Sequence, residues 1–316
     1  MARNGPLPEE LSQSFLVGDA LAAGVSAGRL RGSDLERPFH GVRRLREAMP
    51  DAPASVWDAR RADLLRRAHA YAPKLGAGQF FSHTTAAVIW GAPVPLDAEL
   101  HVSVIGNGSL PRTRGVRGRR VRAGMAVAVF RDGLPVSSPA STWAMRGELS
   151  VPDLVALGDY FCRVWREGFL RPDAGRPPLT TPRLLDTALA AGRRRGAERL
   201  RAALPLIRLD SWSPRESLTR VILVQARLPE PQLNIDLWSA RGKFLGCVDM
   251  CFPEFGVVVE YQGRLHGDRH AKDVERIERL RAHGWVVIQV TSELIRRPAE
   301  LAGRVRTALL AGGWRP

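Results

Sequence analysis

The sequence predicts an α/β chain whose C-terminal third runs helix, three strands, helix, strand, helix around a mixed central sheet. A short helical unit and a small α+β region precede it. Three observations carry this reading. Ser213-Pro214 is an N-cap followed by proline at the first helical position, and it opens an amphipathic helix to about Leu228. Residues 232–238, 244–249 and 257–262 are strand-like runs parted by turn residues. A charged helical stretch from about Asp268 to His283 is stopped by Gly284, and the apolar run 285–291 follows it. A last helix covers Glu293 to about Leu310. We divide the chain into a helix-turn-helix-like unit (1–46), a basic α+β region (47–205) and the α/β core (206–316), with a break before Asp210-Ser-Trp-Ser-Pro214.

Upstream the pattern is looser. Residues 15–43 read as helix, glycine turn, helix: helix formers end at Gly24, and Ser26 caps a second helix through Leu30. Arg29 and Arg31 on that second helix are either DNA contacts or solvated cations. Residues 56–72 have helical periodicity, and 82–91 form a helix capped by Ser82 and stopped at Gly91. His83 in its first turn suits a cap or core contact better than catalysis. Glu99 to Ile105 alternates as a strand. Six arginines (Arg112, Arg114, Arg117, Arg119, Arg120 and Arg122) then precede the run 127–130, suggesting a hairpin or loop with a basic face for phosphate contacts. A merely solvated hairpin is the alternative. Residues 171–183 read as a connector, and 184–204 as one helix ended by Pro205.

Composition narrows the function classes. A net charge of +15 points to a polyanionic partner. Residues 211–316 carry 16 cations and 12 anions, which leaves +11 for residues 1–210. The binding surface is therefore expected upstream, with DNA as the partner. Membrane is excluded as a partner, because no apolar run approaches the roughly 20 residues that span a bilayer and no amphipathic anchor accompanies the charge. The acids and prolines at the N-terminus do not resemble a signal peptide. Cys162, Cys247 and Cys251 offer neither a disulfide framework nor a zinc set, which suits small buried side chains in a reducing cytoplasm.

The chemistry concentrates between 249 and 262. Asp249 ends one strand and Glu260 closes the apolar run Val257-Val258-Val259 on the next. A carboxylate there is costly to bury without a partner. Two such groups at neighbouring strand ends repel unless a cation joins them, and hard oxygen ligands select Mg²⁺ or Mn²⁺. Alternation puts Glu260 and Gln262 on one face and turns Tyr261 away. A metal at that point would bind a phosphate oxygen and generate hydroxide.

These residues resemble the PD-(D/E)XK nucleases, in particular the bacterial branch similar to very-short-patch-repair endonucleases. The matching positions are Ser213-Pro214-x-Glu216, Asp249, Glu260-Tyr261-Gln262-Gly263-x-x-His266, and Asp273-x-x-Arg276-x-x-x-Leu280-x-x-x-Gly284-Trp285. The resemblance implies a restriction-endonuclease-like αβββαβα core and metal-dependent cleavage of DNA. It implies that Asp249, Glu260 and the Tyr261 backbone carbonyl hold the metal and that Gln262 stands at the family's lysine position near the attacking water. Glu216 would aid the metal or hold a ligand, and His266 would lie beside the scissile phosphate. Asp273 and Arg276 would sit behind the site, with Arg276 available to nucleic acid. Plainer readings exist: Glu216 suits a helix N-terminus, Asp273 and Arg276 suit an i,i+3 pair, and His266 a loop. Glutamine supplies neither charge nor a base, so a non-catalytic DNA-binding regulator is the alternative function. Residues 15–43, Ser82-His83-x-x-Ala86-Ala87-x-x-Trp90-Gly91 and Gly133 to Thr142 look like the abortive-infection type IV antitoxins, which implies DNA binding and a toxin or defence-system partner.

Overall fold

The computed structural model describes residues 5–46, 55–169, 171–262 and 268–316. Mixed α/β structure runs throughout, as expected. The chain forms two compact units, Met1–Arg146 with Thr187–Arg195, and Gly147–Asp186 with Gly196–Pro316.

In the first unit, β1 (Ser14–Leu16), α1 (Val17–Ala22), β2 (Leu35–Glu36) and β3 (Val42–Leu45) enclose Phe15, Ala20, Val25, Leu30 and Leu35. The strands form an antiparallel sheet in the order β1-β3-β2. The expected second helix of residues 15–43 is instead one 3-10 turn, Arg29–Arg31. Ser26 does accept the Arg29 N–H at 3.1 Å. Gly28 and Gly32 flank the turn, and glycine on both sides favours leaving the helix. The Arg29 guanidinium is spent on Asp34 (3.0 and 2.6 Å) and on the Gly5 carbonyl (2.5 Å), so it is a structural tie.

Then come α2 (Val56–Tyr71), β4 (Gln79–Phe81), α3 (His83–Ile89), β5 (Leu100–Ile105), β6 (Val116–Val121), β7 (Ala128–Arg131), β8 (Leu134–Ser137) and α4 (Pro139–Ala144). The sheet order is β6-β5-β4-β8-β7. This corrects the hairpin expected of residues 112–130: β6 pairs in parallel with β5, whereas β7 lies at the opposite edge against β8. The hairpin is β7–β8, closed by Asp132 and Gly133 at φ 50° and 76°. Two positive φ angles are the primed-turn geometry that matches strand twist. Ser82 occupies the N-cap position of α3, but its side chain makes no cap hydrogen bond.

In the second unit, α5 (Val151–Cys162) was not foreseen, although Ser150 caps it and Pro152 sits in its first turn. The helix expected over 184–204 is two, α6 (Pro182–Ala190), whose residues from Thr187 on belong to the first unit, and α7 (Ala197–Ala203). Gly196 breaks it at φ 67°, where a Cβ would fall 1.8 Å from the Gly147 carbonyl oxygen. The core follows as α8 (Pro214–Gln225), β9 (Gln232–Trp238), β10 (Phe244–Phe252), β11 (Val257–Tyr261), α9 (Asp268–Ala282), β12 (Val286–Val290), α10 (Ser292–Ile295) and α11 (Pro298–Ala311). Pro298 splits the expected last helix in two, because it cannot donate the hydrogen bond that would continue α10.

The sheet order is β12-β11-β10-β9, antiparallel except for the parallel pair β11–β12. Met250, Phe252 and Val259 pack with Leu223 of α8 and Val305 of α11 on one face, and Cys251 and Val258 pack with Leu280 of α9 on the other.

The break expected near 206–212 is not a boundary between units. Arg220 of α8, fully buried, meets Asp159 of α5 at 3.5 Å and Glu230 at 2.9 Å, and it donates to the Leu206 carbonyl. Asp159 also accepts the Arg208 N–H at 2.7 Å. Burial outweighs Arg220 and pushes the Asp159 carboxyl up to about 6. Removing one partner of such a pair strands a buried charge. Arg220→Ala is therefore expected to cost about 3–5 kcal/mol of stability, and urea unfolding of parent and variant at neutral pH checks this.

Candidate active site

The register Met250↔Val259 continues one step to bring Asp249 opposite Glu260. Cys251 and Val258 face α9, so Asp249 and Glu260, each two residues along its own strand, take that same face. The backbone locks the two together. The Tyr261 N–H donates to Asp249 Oδ2 at 2.7 Å, and the Asp249 N–H donates to the Glu260 carboxylate.

Arg276, on α9, grips Glu260 with both nitrogens, Nη1 to Oε1 at 2.7 Å and Nη2 to Oε2 at 3.0 Å. It also donates to the Cys247 carbonyl at 3.2 Å and pairs with Asp273. Gly246 makes the approach possible: a Cβ there would lie 2.9 Å from Arg276 Cδ.

Electrostatics follow from burial. Glu260 is 4% exposed. Desolvation, then Glu260, then Glu216 push the Asp249 carboxyl well above its ordinary value, against the Tyr261 N–H and Arg276. Desolvation also raises Glu260, although Arg276 opposes it. Burial works against the Arg276 charge, yet Glu260 and Asp273 hold that guanidinium above its usual range.

The other expected site residues fall as follows. Glu216 is buried, accepts the Trp212 N–H at 2.9 Å and Asn234 Nδ2 at 2.7 Å, and so ties the start of α8 to β9. Its charge still reaches Asp249. Gln262 ends β11, with its N–H on the Val290 carbonyl at 2.8 Å. His266 lies outside the described residues. Arg276, expected to be available to nucleic acid, is consumed by Glu260 and Asp273. The arginines of 112–122 lie along an edge strand and the loops flanking it, all exposed except the half-buried Arg119. Arg117 pairs with Glu99 at 3.3 Å, and Arg120 bonds the Gly108 carbonyl at 3.3 Å.

Sequence reasoning missed an arginine–tryptophan stack beside Glu216. The Arg163 guanidinium lies 3.5 Å from the Trp165 ring centre and 4.9 Å from that of Trp212, while Arg171 lies 4.8 Å from Trp212. Arg171 also pairs with Asp236 at 2.6 Å. The signal available was the density of Arg and Trp over 163–176. Cys247 and Cys251 form no disulfide, and burial raises both thiols, to about 11 and about 12.

Among the described residues, no three or more His, Cys, Asp or Glu side chains converge as a metal cage. A magnesium ion asks for less, namely one or two carboxylates, retained waters and substrate phosphates. Asp249 and Glu260 fit that smaller demand: they are adjacent, desolvated and short of compensating charge.

No family model matches the chain. It is 28% identical over 126 residues to two proteins of Mycobacterium tuberculosis, the uncharacterized protein Rv2248 of strain H37Rv and the uncharacterized protein MT2308 of strain CDC 1551. Those matches cover 38% of this chain and 46% of each relative, so the chain spans about half the length of the curated relatives it matches. The crystal structure of the RV2827C protein from the same organism aligns over 72% of this chain and 84% of its own, at 15% identity and a TM-score of 0.37. Among the described residues no helix is long and apolar enough to cross a membrane.

The raised Asp249 carboxyl makes a signed prediction. A group whose pKa is raised by folding contributes stability below its unfolded value, 3.8 here, and loses it as pH rises through the folded value. Asp249→Asn keeps an acceptor for Tyr261 and removes the charge. The variant is expected to be more stable than the parent at pH 8, by on the order of 1 kcal/mol, and to lose that advantage at low pH. Thermal melts across pH 4–8 read the difference; an equal gain at both ends would refute the assignment.

Proposed function

We propose that the chain is a metal-dependent phosphodiesterase acting on DNA, with Asp249 and Glu260 holding Mg²⁺ or Mn²⁺. One observation carries this reading: two desolvated carboxylates stand side by side on the central sheet, linked by backbone N–H groups and, among the described residues, bonded by a single guanidinium. Catalytic sites are where such costs are tolerated. A bound divalent ion would supply Lewis acidity toward a phosphate oxygen and lower the pKa of a bound water. The protein's own part is positional. The Tyr261 N–H fixes one Asp249 oxygen, and the α9 arginine orients Glu260. Gln262 can orient a water by hydrogen bonding but cannot take its proton. Glu216 acts from the helix start, adding negative field and anchoring β9. The arginines of 112–122 would hold the DNA backbone without reading its sequence.

The test is cleavage of supercoiled plasmid and single-stranded DNA with Mg²⁺ or Mn²⁺. Asp249→Ala and Glu260→Ala are each expected to lower cutting at least about 100-fold while DNA binding changes little. Cutting that survives in both variants, or a parent that never cuts, would end the proposal.

A second reading has its own support, since Arg276 already occupies both oxygens of Glu260. On that reading the protein is a DNA-binding regulator of the antitoxin-like kind, with a toxin or defence-system partner, and it does not cut. Replacing Arg112 and Arg114 by alanine should then weaken DNA binding and flatten its salt dependence by about 0.9 for each phosphate no longer neutralised. An unchanged slope in a filter-binding titration would remove this edge from the interface.

A further inference from the structure

The first unit holds a cavity of about 670 Å³, lined in part by three of the arginines assigned above to the DNA backbone. One side carries Arg119, Arg120 and Arg122 from the end of β6, and the other Arg193, Arg194 and Arg195 from the loop after α6. No carboxylate lines it. Six guanidinium groups around one concavity repel each other; Arg120 and Arg194 are partly spent on backbone carbonyls, and an anion in the cavity would relieve the remaining repulsion.

The loop that brings in the second trio is built, not loose. Arg194 donates Nε to the Ala188 carbonyl at 2.8 Å and Nη2 to the Met125 carbonyl at 2.6 Å. Gly192 lies against Met125, where a Cβ would come within 3.2 Å of its sulfur. Arg122, Arg193 and Arg195 make no ion pair among the described residues. Guanidinium forks suit phosphate oxygens better than single ammonium charges do.

His83 also lines the cavity, and its backbone is strained: φ is 51°, in a region a non-glycine residue enters at a cost of about 1–3 kcal/mol. Its Nδ1 lies 3.0 Å from Ser82 Oγ, which in turn accepts from Ser103 Oγ at 2.7 Å. Burial, with Arg119 the largest of the charges acting on it, drives His83 down to about 2 and keeps the ring neutral. It therefore adds a hydrogen-bonding group without adding to the repulsion. Met125, Met145 and Ala144 supply an apolar patch beside the cations.

We infer that this cavity is a binding site for a soluble ligand with two or more contiguous phosphates, such as a nucleoside triphosphate or inorganic polyphosphate. The volume is that of a small-molecule site, which commonly spans about 300–1,000 Å³. A duplex lying across a surface needs no such concavity. The charge asks for a ligand of several negative charges, and the apolar patch leaves room for a base.

Calorimetry on the full chain at near-physiological salt tests this, with tripolyphosphate and ATP as probes. Both are expected to bind. Arg193→Ala/Arg195→Ala, at two exposed positions whose side chains make no hydrogen bond or ion pair among the described residues, should weaken tripolyphosphate at least tenfold. The control Arg112→Ala/Arg114→Ala, equal in charge removed but outside the cavity, should leave it unchanged. Tighter binding of ATP than of tripolyphosphate places a base on the methionines; equal binding leaves the phosphates alone as the recognised group. Either order upholds the site. Absence of tripolyphosphate binding, or equal weakening by both variants, overturns it. So does a loss of DNA binding in Arg193→Ala/Arg195→Ala without any tripolyphosphate affinity, which would make the cavity part of a nucleic-acid groove. The outcome is independent of plasmid cleavage, which reads the second unit.

Discussion

The Glu260–Arg276 pair is the interaction on which the second unit turns. Val257, Val258 and Val259 are fully buried, and the next side chain on the strand is a carboxylate. It must be neutralised where it stands, because it is buried between Asp249 on β10 and Gln289 on β12, neither of which brings a positive charge. The two-pronged grip of Arg276 does that and ties α9 to β11 across the face of β10. Several features follow. Gly246 has no side chain because the arginine stem crosses there. Asp273 sits one turn back and shares the guanidinium. Asp249 reaches a backbone N–H of the neighbouring strand instead of the arginine.

Arginine serves as internal framework throughout this chain, which changes what its net charge means. Arg220 is wholly buried between Asp159 and Glu230, Arg171 bonds Asp236 and the Asn234 carbonyl, and Arg29 closes the first small sheet. Each guanidinium satisfies several carbonyls and carboxylates at once, which a lysine could not do. Counting charge by sequence segment located the upstream excess correctly in sum. It could not separate cations spent on the fold from cations left over. The separation appears only in space, where Arg122, Arg193 and Arg195 line one cavity with no ion pair among the described residues and Arg29 is tied to Asp34.

Much of the second unit was legible because its signals are local and mutually reinforcing. Ser213-Pro214 does open α8, the strand runs fall within a few residues of β9 to β12, and Gly284 ends the α9 stretch. The proximity of Asp249 and Glu260 was readable in outline, but Asp249 does not end its strand: β10 continues past it to Phe252, because its pairing with β11 extends that far. What failed had a common cause: pairing and termination decided by distant residues. The basic segment 116–121 looked like half of a hairpin, but its partner is β5, in parallel. The true hairpin signal, Asp132-Gly133, was passed over. One helix over 184–204 became two because Gly196 has to clear the Gly147 carbonyl, a constraint from fifty residues away. The role of Arg276 was invisible for the same reason, since an i,i+3 neighbour in sequence concealed a cross-sheet partner.

The glutamine at 262 looks like a defect only if the site is judged by a lysine it lacks. Around Glu260 stand Asp249 and Asp273, and among the described residues Arg276 is the guanidinium that bonds this group. Glu216 adds its field from the start of α8, so among the described residues the acids outnumber that bonded cation. Burial is the first cause that raises the Asp249 and Glu260 carboxyls, and neighbouring acids add to it. A lysine at 262 would relieve part of that negative excess and weaken the pull on any further cation. A neutral glutamine leaves the excess in place. Arg276 and Gln262 are thus two parts of one charge balance: the helix supplies the cation that the strand does not, and on the proposed reading a metal would supply the rest.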